Sequence, residues 1–100
     1  MAFDQGDVVL VPFPFRDRLG EKARPGVIVS GAAYMARGDV VVAASTSQPP
    51  QFNSDYALVD WQAAGLKFPS TARMQLATLD QSRILLKVGS LSANDWSEVN

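Results

Sequence analysis

Apolar residues in this chain come in short runs rich in β-branched side chains, and glycine, proline or a polar cluster closes each one. Such runs are too short for packed helices and match the length of strands. GDVVLVPF gives a first strand over Asp7–Phe13, ending in a Pro-Phe-Pro element. A loop over Pro14–Ala23 turns at Gly20, and PGVIVS gives a second strand over Pro25–Ser30. Gly31–Gly38 is a connection with room for one helical turn. DVVVAAST, Asp39–Thr46, is a third strand whose nearly unbroken apolar character predicts burial on both faces. A long loop carrying Pro49-Pro50 leads to a fourth strand over Tyr56–Val59. Asp60 then caps a short turn, WQAAG, which Gly65 ends. A fifth strand is predicted over Thr71–Leu76, with Thr78 and Asp80 in the turn after it. The alternation of Ile84, Leu86 and Val88 predicts a sixth over Arg83–Val88. Ser92, with Asp95 three residues on, opens a short C-terminal helix that packs Trp96 and Val99 inward. This pattern fits a small barrel or sandwich, and does not by itself separate an SH3-like barrel from an OB-fold.

The chain has 100 residues, enough for one domain spanning 1–100. It contains neither cysteine nor histidine. Disulfide scaffolds, thiolate metal sites and the Ser-His-Asp and Cys-His catalytic arrangements are therefore excluded. No carboxylate spacing suggests a metal site and no glycine-rich phosphate loop is present, so neither metal nor cofactor is expected. Nine basic residues stand against ten acidic ones, so any nucleic-acid site must be a local patch on a balanced background. No apolar run approaches membrane-spanning length and the first residues do not form a signal peptide, which predicts a cytoplasmic protein.

Arginine supplies the conspicuous chemistry. From Arg16 to Arg24, four cations face Asp17 and Glu21, just after Phe13 and Phe15. Cations interleaved with aromatic rings suit single-stranded nucleic acid; they equally suit a solvated hairpin loop. Arg24 precedes Pro25, which holds its backbone extended and allows a guanidinium to present two parallel donors to a phosphate. A surface ion pair is the plainer alternative. Ser45, Thr46, Ser47 and Gln48 end the apolar third strand, where hydroxyls and an amide can bond phosphate or ribose, or cap the turn. Arg73 alternates with the apolar Ala72 and Met74.

Six segments taken in order are similar to the PemK/Kid/MazF toxins of type II toxin–antitoxin systems, and more to the PemK-like branch: GDVVLVPFPF, Arg24-Pro25 with GVIVS, DVVVAASTSQ, DWQAAGL, STARMQLATLD and GSLSANDW. The resemblance spans nearly the whole chain. It implies a mainly β fold, a small SH3-like barrel of the CcdB/Kid/MazF type with a short C-terminal helix, usually a homodimer. It also implies a metal-independent, sequence-selective endoribonuclease that cuts single-stranded messenger RNA by 2′-oxygen attack. A cognate antitoxin covers the RNA groove, and the toxin reaches operator DNA only through that complex. By the same resemblance Arg24 and Thr46 form the catalytic pair and Arg73 a second arginine. The groove loops offer Phe15, Arg16, Arg18, Ser47 and Gln48 to RNA. Where some relatives carry an acidic base this chain has Gln75, and a histidine used by others is absent. Two alternatives stay open: a non-enzymatic gyrase poison of the CcdB type, and a catalytically degenerate member that binds only antitoxin or operator.

Overall fold

The computed structural model describes residues 3–14 and 21–99, with the backbone alone at 13, 14, 21 and 22. Six strands form one antiparallel sheet: β1 (Asp7–Pro14), β2 (Glu21–Ile28), β3 (Asp39–Thr46), β4 (Tyr56–Ala57), β5 (Thr71–Asp80) and β6 (Leu86–Ser90). Their order across it is β4-β5-β3-β2-β1-β6. A four-residue helix α1 (Ala32–Met35) joins β2 to β3, and α2 (Ala93–Val99) closes the described chain. The sheet curls into a half-barrel with α2 packed against it. No helix among the described residues is long and apolar enough to cross a membrane.

Period-two alternation sorts the central strands onto two faces. Val9, Val11, Ile28, Val40, Val42 and Ala44 point to one side and pack with Met35. Val8 and Val27 point to the other, where Ala64, Leu66, Val88, Leu91 and Trp96 meet them. Both sides of β3 are covered, as its apolar run predicts: Val40, Val42 and Ala43 are fully buried.

Several boundaries differ from the sequence expectation. β2 begins at Glu21, because β1 pairs with it continuously from Val8↔Val27 to Pro14↔Glu21. Arg24 and Pro25 therefore lie inside the strand and not at its mouth. β4 has two residues where four were expected, since only Tyr56 and Ala57 find partners on β5. β5 runs on to Asp80, placing Thr78 and Asp80 in the ladder opposite Val41 and Asp39. The turn follows at Gln81–Arg83, where the Asp80 carboxylate accepts the Ser82 N–H at 2.9 Å, which holds its pKa below the ordinary carboxylate value. The last strand starts at Leu86, and Val88 is an extra residue between the pairs Val8↔Gly89 and Val9↔Lys87. An insertion of one residue reverses the inward face. Leu86 is accordingly exposed although Ile84 and Val88 are half-buried.

The C-terminal helix starts as predicted: the Asp95 N–H donates to Ser92 Oγ at 3.1 Å. Asp95 itself is fully buried. Its carboxylate accepts the Tyr56 hydroxyl at 2.8 Å and the amides of Val59 and Asp60 at 3.0 and 2.8 Å. Replacing Asp95 with Ala strips that acceptor from two backbone donors and a phenol, and should cost about 3–5 kcal/mol in urea unfolding. The hydrogen bond to Asp95, followed by burial, pushes the Tyr56 phenol from 10.0 up to about 12. Its contribution to stability is intact below pH 10 and is lost as pH rises through 12, because the unfolded chain releases this proton first. Stability curves for wild type and Tyr56→Phe should therefore converge across that window.

Candidate nucleic-acid cleft

Described pairing between β2 and β3 begins at Gly26↔Ala44 and runs toward Val42. Two residues further out on each strand, the same register sets Arg24 opposite Thr46. Pro25 has no N–H to offer β3, so a proline is tolerated where that ladder has ended. Beyond this point a cleft of about 600 Å³ opens. Arg24 and Pro25 from β2, Ser45 and Thr46 from β3 and Ser47 just after it line one side. Gly65–Phe68 and Ser70 line another, and Leu86, Lys87 and Val88 of β6 complete it with Leu10.

Three cationic side chains line this cleft, Arg24, Lys67 and Lys87, and no Asp or Glu is among the described residues that line it. In a chain of net charge −1 that is a marked local excess. Lys87 is partly tethered, its Nζ lying 3.3 Å from the buried Asp7 carboxylate. Lys67 makes no ion pair among the described residues. Thr46 Oγ1 accepts the Gln48 N–H at 3.2 Å. That bond occupies a lone pair and leaves the hydroxyl proton available to an anion.

The segment carrying Lys67 and Phe68 is pinned from below. Amides of Ala64, Gly65 and Leu66 close a turn onto Asp60, Gln62 and Trp61. Gly65 has φ +88°, and a Cβ there would collide with the Val88 carbonyl. A Cβ on Gly89 would likewise strike the Ala64 carbonyl. Two glycines thus let turn and strand touch backbone to backbone.

The expected residues do not all meet. Arg24, Thr46 and Ser47 share the cleft, whereas Gln48 is exposed and does not line it. Arg73 faces a second hollow of about 460 Å³ with Phe52, Asp55, Met74 and Gln75. Arg73 lies in a bulge: three residues of β5, Arg73, Met74 and Gln75, stand between Ala72 and Leu76, where β3 has only Ala44 between Ser45 and Ala43. Arg73 Nε stands 3.6 Å from the Asp55 carboxylate, which also accepts the amides of Gln51 and Phe52. Phe15, Arg16 and Arg18 lie outside the described residues. Sequence reasoning missed Lys67, Phe68 and Lys87. The signal for the first two was a Lys-Phe-Pro triplet one residue past the turn-ending Gly65.

Ser45 adds an unusual group to the cleft. It is 5% exposed, and its Oγ has no hydrogen-bond partner among the described residues. A buried hydroxyl without a partner is destabilising. Ser45→Ala should raise stability by about 1 kcal/mol, read as a higher Tm.

Comparison with known proteins places these features in a family. The model of the PemK-like, MazF-like toxins of type II toxin–antitoxin systems matches residues 4–100. No curated protein matches the sequence. Among solved structures, an endoribonuclease in complex with its cognate antitoxin from a Mycobacterial species superposes with TM-score 0.75 at 21% identity, covering 99% of this chain and 88% of that one. The Mycobacterium tuberculosis toxin MazF-mt6 gives 0.76 at 18%, covering 93% and 87%. MazE-MazF from Deinococcus radiodurans gives 0.75 at 21%, covering 99% and 89%. With a matching model over nearly its full length and the same curled sheet, the chain belongs to the PemK-like, MazF-like toxin family of type II toxin–antitoxin systems.

Proposed function

We propose that this toxin is a metal-independent, sequence-selective endoribonuclease acting on single-stranded messenger RNA in the cytoplasm, with Arg24 and Thr46 at its reacting phosphate. The observation that carries the reading is the cleft itself. It gathers Arg24, Lys67 and Lys87 on its described lining, at the point where the register brings Arg24 and Thr46 together. Solved structures of similar fold are described as endoribonucleases, which supports the same chemistry.

The reaction is an internal transfer. The ribose 2′-oxygen loses its proton and bonds to the adjacent phosphorus; the bond from phosphorus to the 5′-oxygen breaks and that oxygen takes up a proton. A 2′,3′-cyclic phosphate and a 5′-hydroxyl result. Negative charge grows on the phosphoryl oxygens during attack, so a fixed guanidinium stabilises the transition state more than the ground state. Arg24 fills that role, since it stays protonated and cannot serve as base. Thr46 donates its free hydroxyl proton to the phosphate and holds it in line for attack. Arg73 lies in the neighbouring hollow, and its part in this reading is to hold a more distant stretch of the RNA. Ser47 lines the cleft itself.

The partners follow the family. A cognate antitoxin covers the cleft, in keeping with the antitoxin-bound relatives, and operator DNA is reached through that complex. A second copy of the chain is the natural cover for Met74 and Leu76, both 50% exposed on a stretch of β5 with no strand on its far side among the described residues.

Incubation with a long single-stranded RNA in EDTA, followed by end-group analysis, tests the reading. Cleavage at recurring short sites with cyclic phosphate ends is expected. Arg24→Ala should lower the rate constant about 10²–10³-fold, and Arg24→Lys should restore only part of it. Intact RNA together with inhibited gyrase supercoiling would overturn it.

A further inference from the structure

Phe68 is 66% exposed, yet it stands on a wall of the cleft that holds Arg24 and Thr46. Folding alone gives no reason to present a whole aromatic ring there. Its position is also unusually fixed. Pro69 holds the Phe68 backbone extended, and the Phe68 carbonyl accepts the Ser70 hydroxyl at 2.8 Å. Two residues before it, Leu66 is anchored in the apolar cluster with Val8, Val27 and Ala64. Its neighbour Lys67 lines the same cleft and has no ion pair among the described residues.

We infer that Phe68 is a stacking platform for one unpaired RNA base next to the reacting phosphate, with Lys67 contacting a phosphate of the same stretch. This rests on the ribonuclease reading and extends it to a base-binding subsite. The chemistry is that of single-strand recognition, in which a ring face takes a base and an adjacent cation takes the backbone. The backbone that carries the ring is held before binding, so little main-chain freedom is lost when a base stacks there. Stacking accepts any base. The platform therefore adds binding strength and sets where the strand lies, and leaves base identity to hydrogen bonds elsewhere in the cleft.

The test uses the full chain and a short single-stranded RNA selected for binding, with 2′-deoxyribose at its central nucleotides so that it binds uncut. Affinity is read by fluorescence anisotropy for wild type, Phe68→Ala and Phe68→Trp, against the same oligonucleotide with each base in turn replaced by an abasic sugar. Phe68→Ala should weaken binding by about 5- to 100-fold, and Phe68→Trp should retain it. One abasic position should weaken wild type by a similar factor and leave Phe68→Ala unaffected. Lys67→Gln should lower the slope of log affinity against log salt by about one. The inference fails if every abasic position weakens both proteins equally. It also fails if Phe68→Ala merely shifts the sedimentation of the free protein, which would make Phe68 a contact between copies. Wild type that binds the deoxy oligonucleotide with this pattern but leaves unmodified RNA intact would refute the nuclease and keep the platform. Cleavage without the pattern would do the reverse.

Discussion

One carboxylate with no exposed surface organises the region around the cleft. Asp95 reaches from α2 to the phenol of Tyr56 on β4 and to the two amides that follow β4. Those three donors would otherwise need water in a crowded part of the molecule. Charge-assisted bonds from backbone amides are strong because the partners are fixed before they meet. Asp60, held this way at its N–H, also accepts Ser92 Oγ at 2.6 Å. Helix start and turn start are thereby tied together, and the turn leads directly into Gly65–Phe68.

The cleft exists because two neighbouring strands stop pairing. β2 still pairs with β1 at Arg24 and Pro25, so its outer end stays straight and supported while its other edge is left open. β3 is held at the same level by β5, through Ser45↔Ala72 and Thr46↔Thr71. The gap lies between two rigid strands, each backed by a partner on its far side. Side chains mounted on such a frame keep their spacing better than side chains on loops.

Strand positions were legible in the sequence wherever β-branched residues alternate, and Ser92 and Gly65 marked a helix start and a turn end in the way their chemistry predicts. The resemblance singled out Arg24 and Thr46, and both line the cleft. What escaped was mostly register. Nothing in STARMQLATLD announces that β5 sets three residues against one of β3, yet those three, Arg73 among them, line the second hollow. Val88 as an extra residue is equally silent, and it turns Leu86 outward. Nothing in the sequence puts Lys67 and Phe68 on the cleft, because that depends on which strands their turn lies beside. Asp95 reads as an ordinary member of a capping pair; its burial follows from the docking of α2 and not from its neighbours in sequence.

Backbone contact between Gly65 and Gly89 has a consequence for selectivity. With Ala64 and Val88 carbonyls lying where any side chain would go, the turn has no hinge with which to swing toward or away from the sheet. That wall of the opening is set when the chain folds, so a guest or an inhibitor meets it ready-made and gains its purchase there without first having to close a flap.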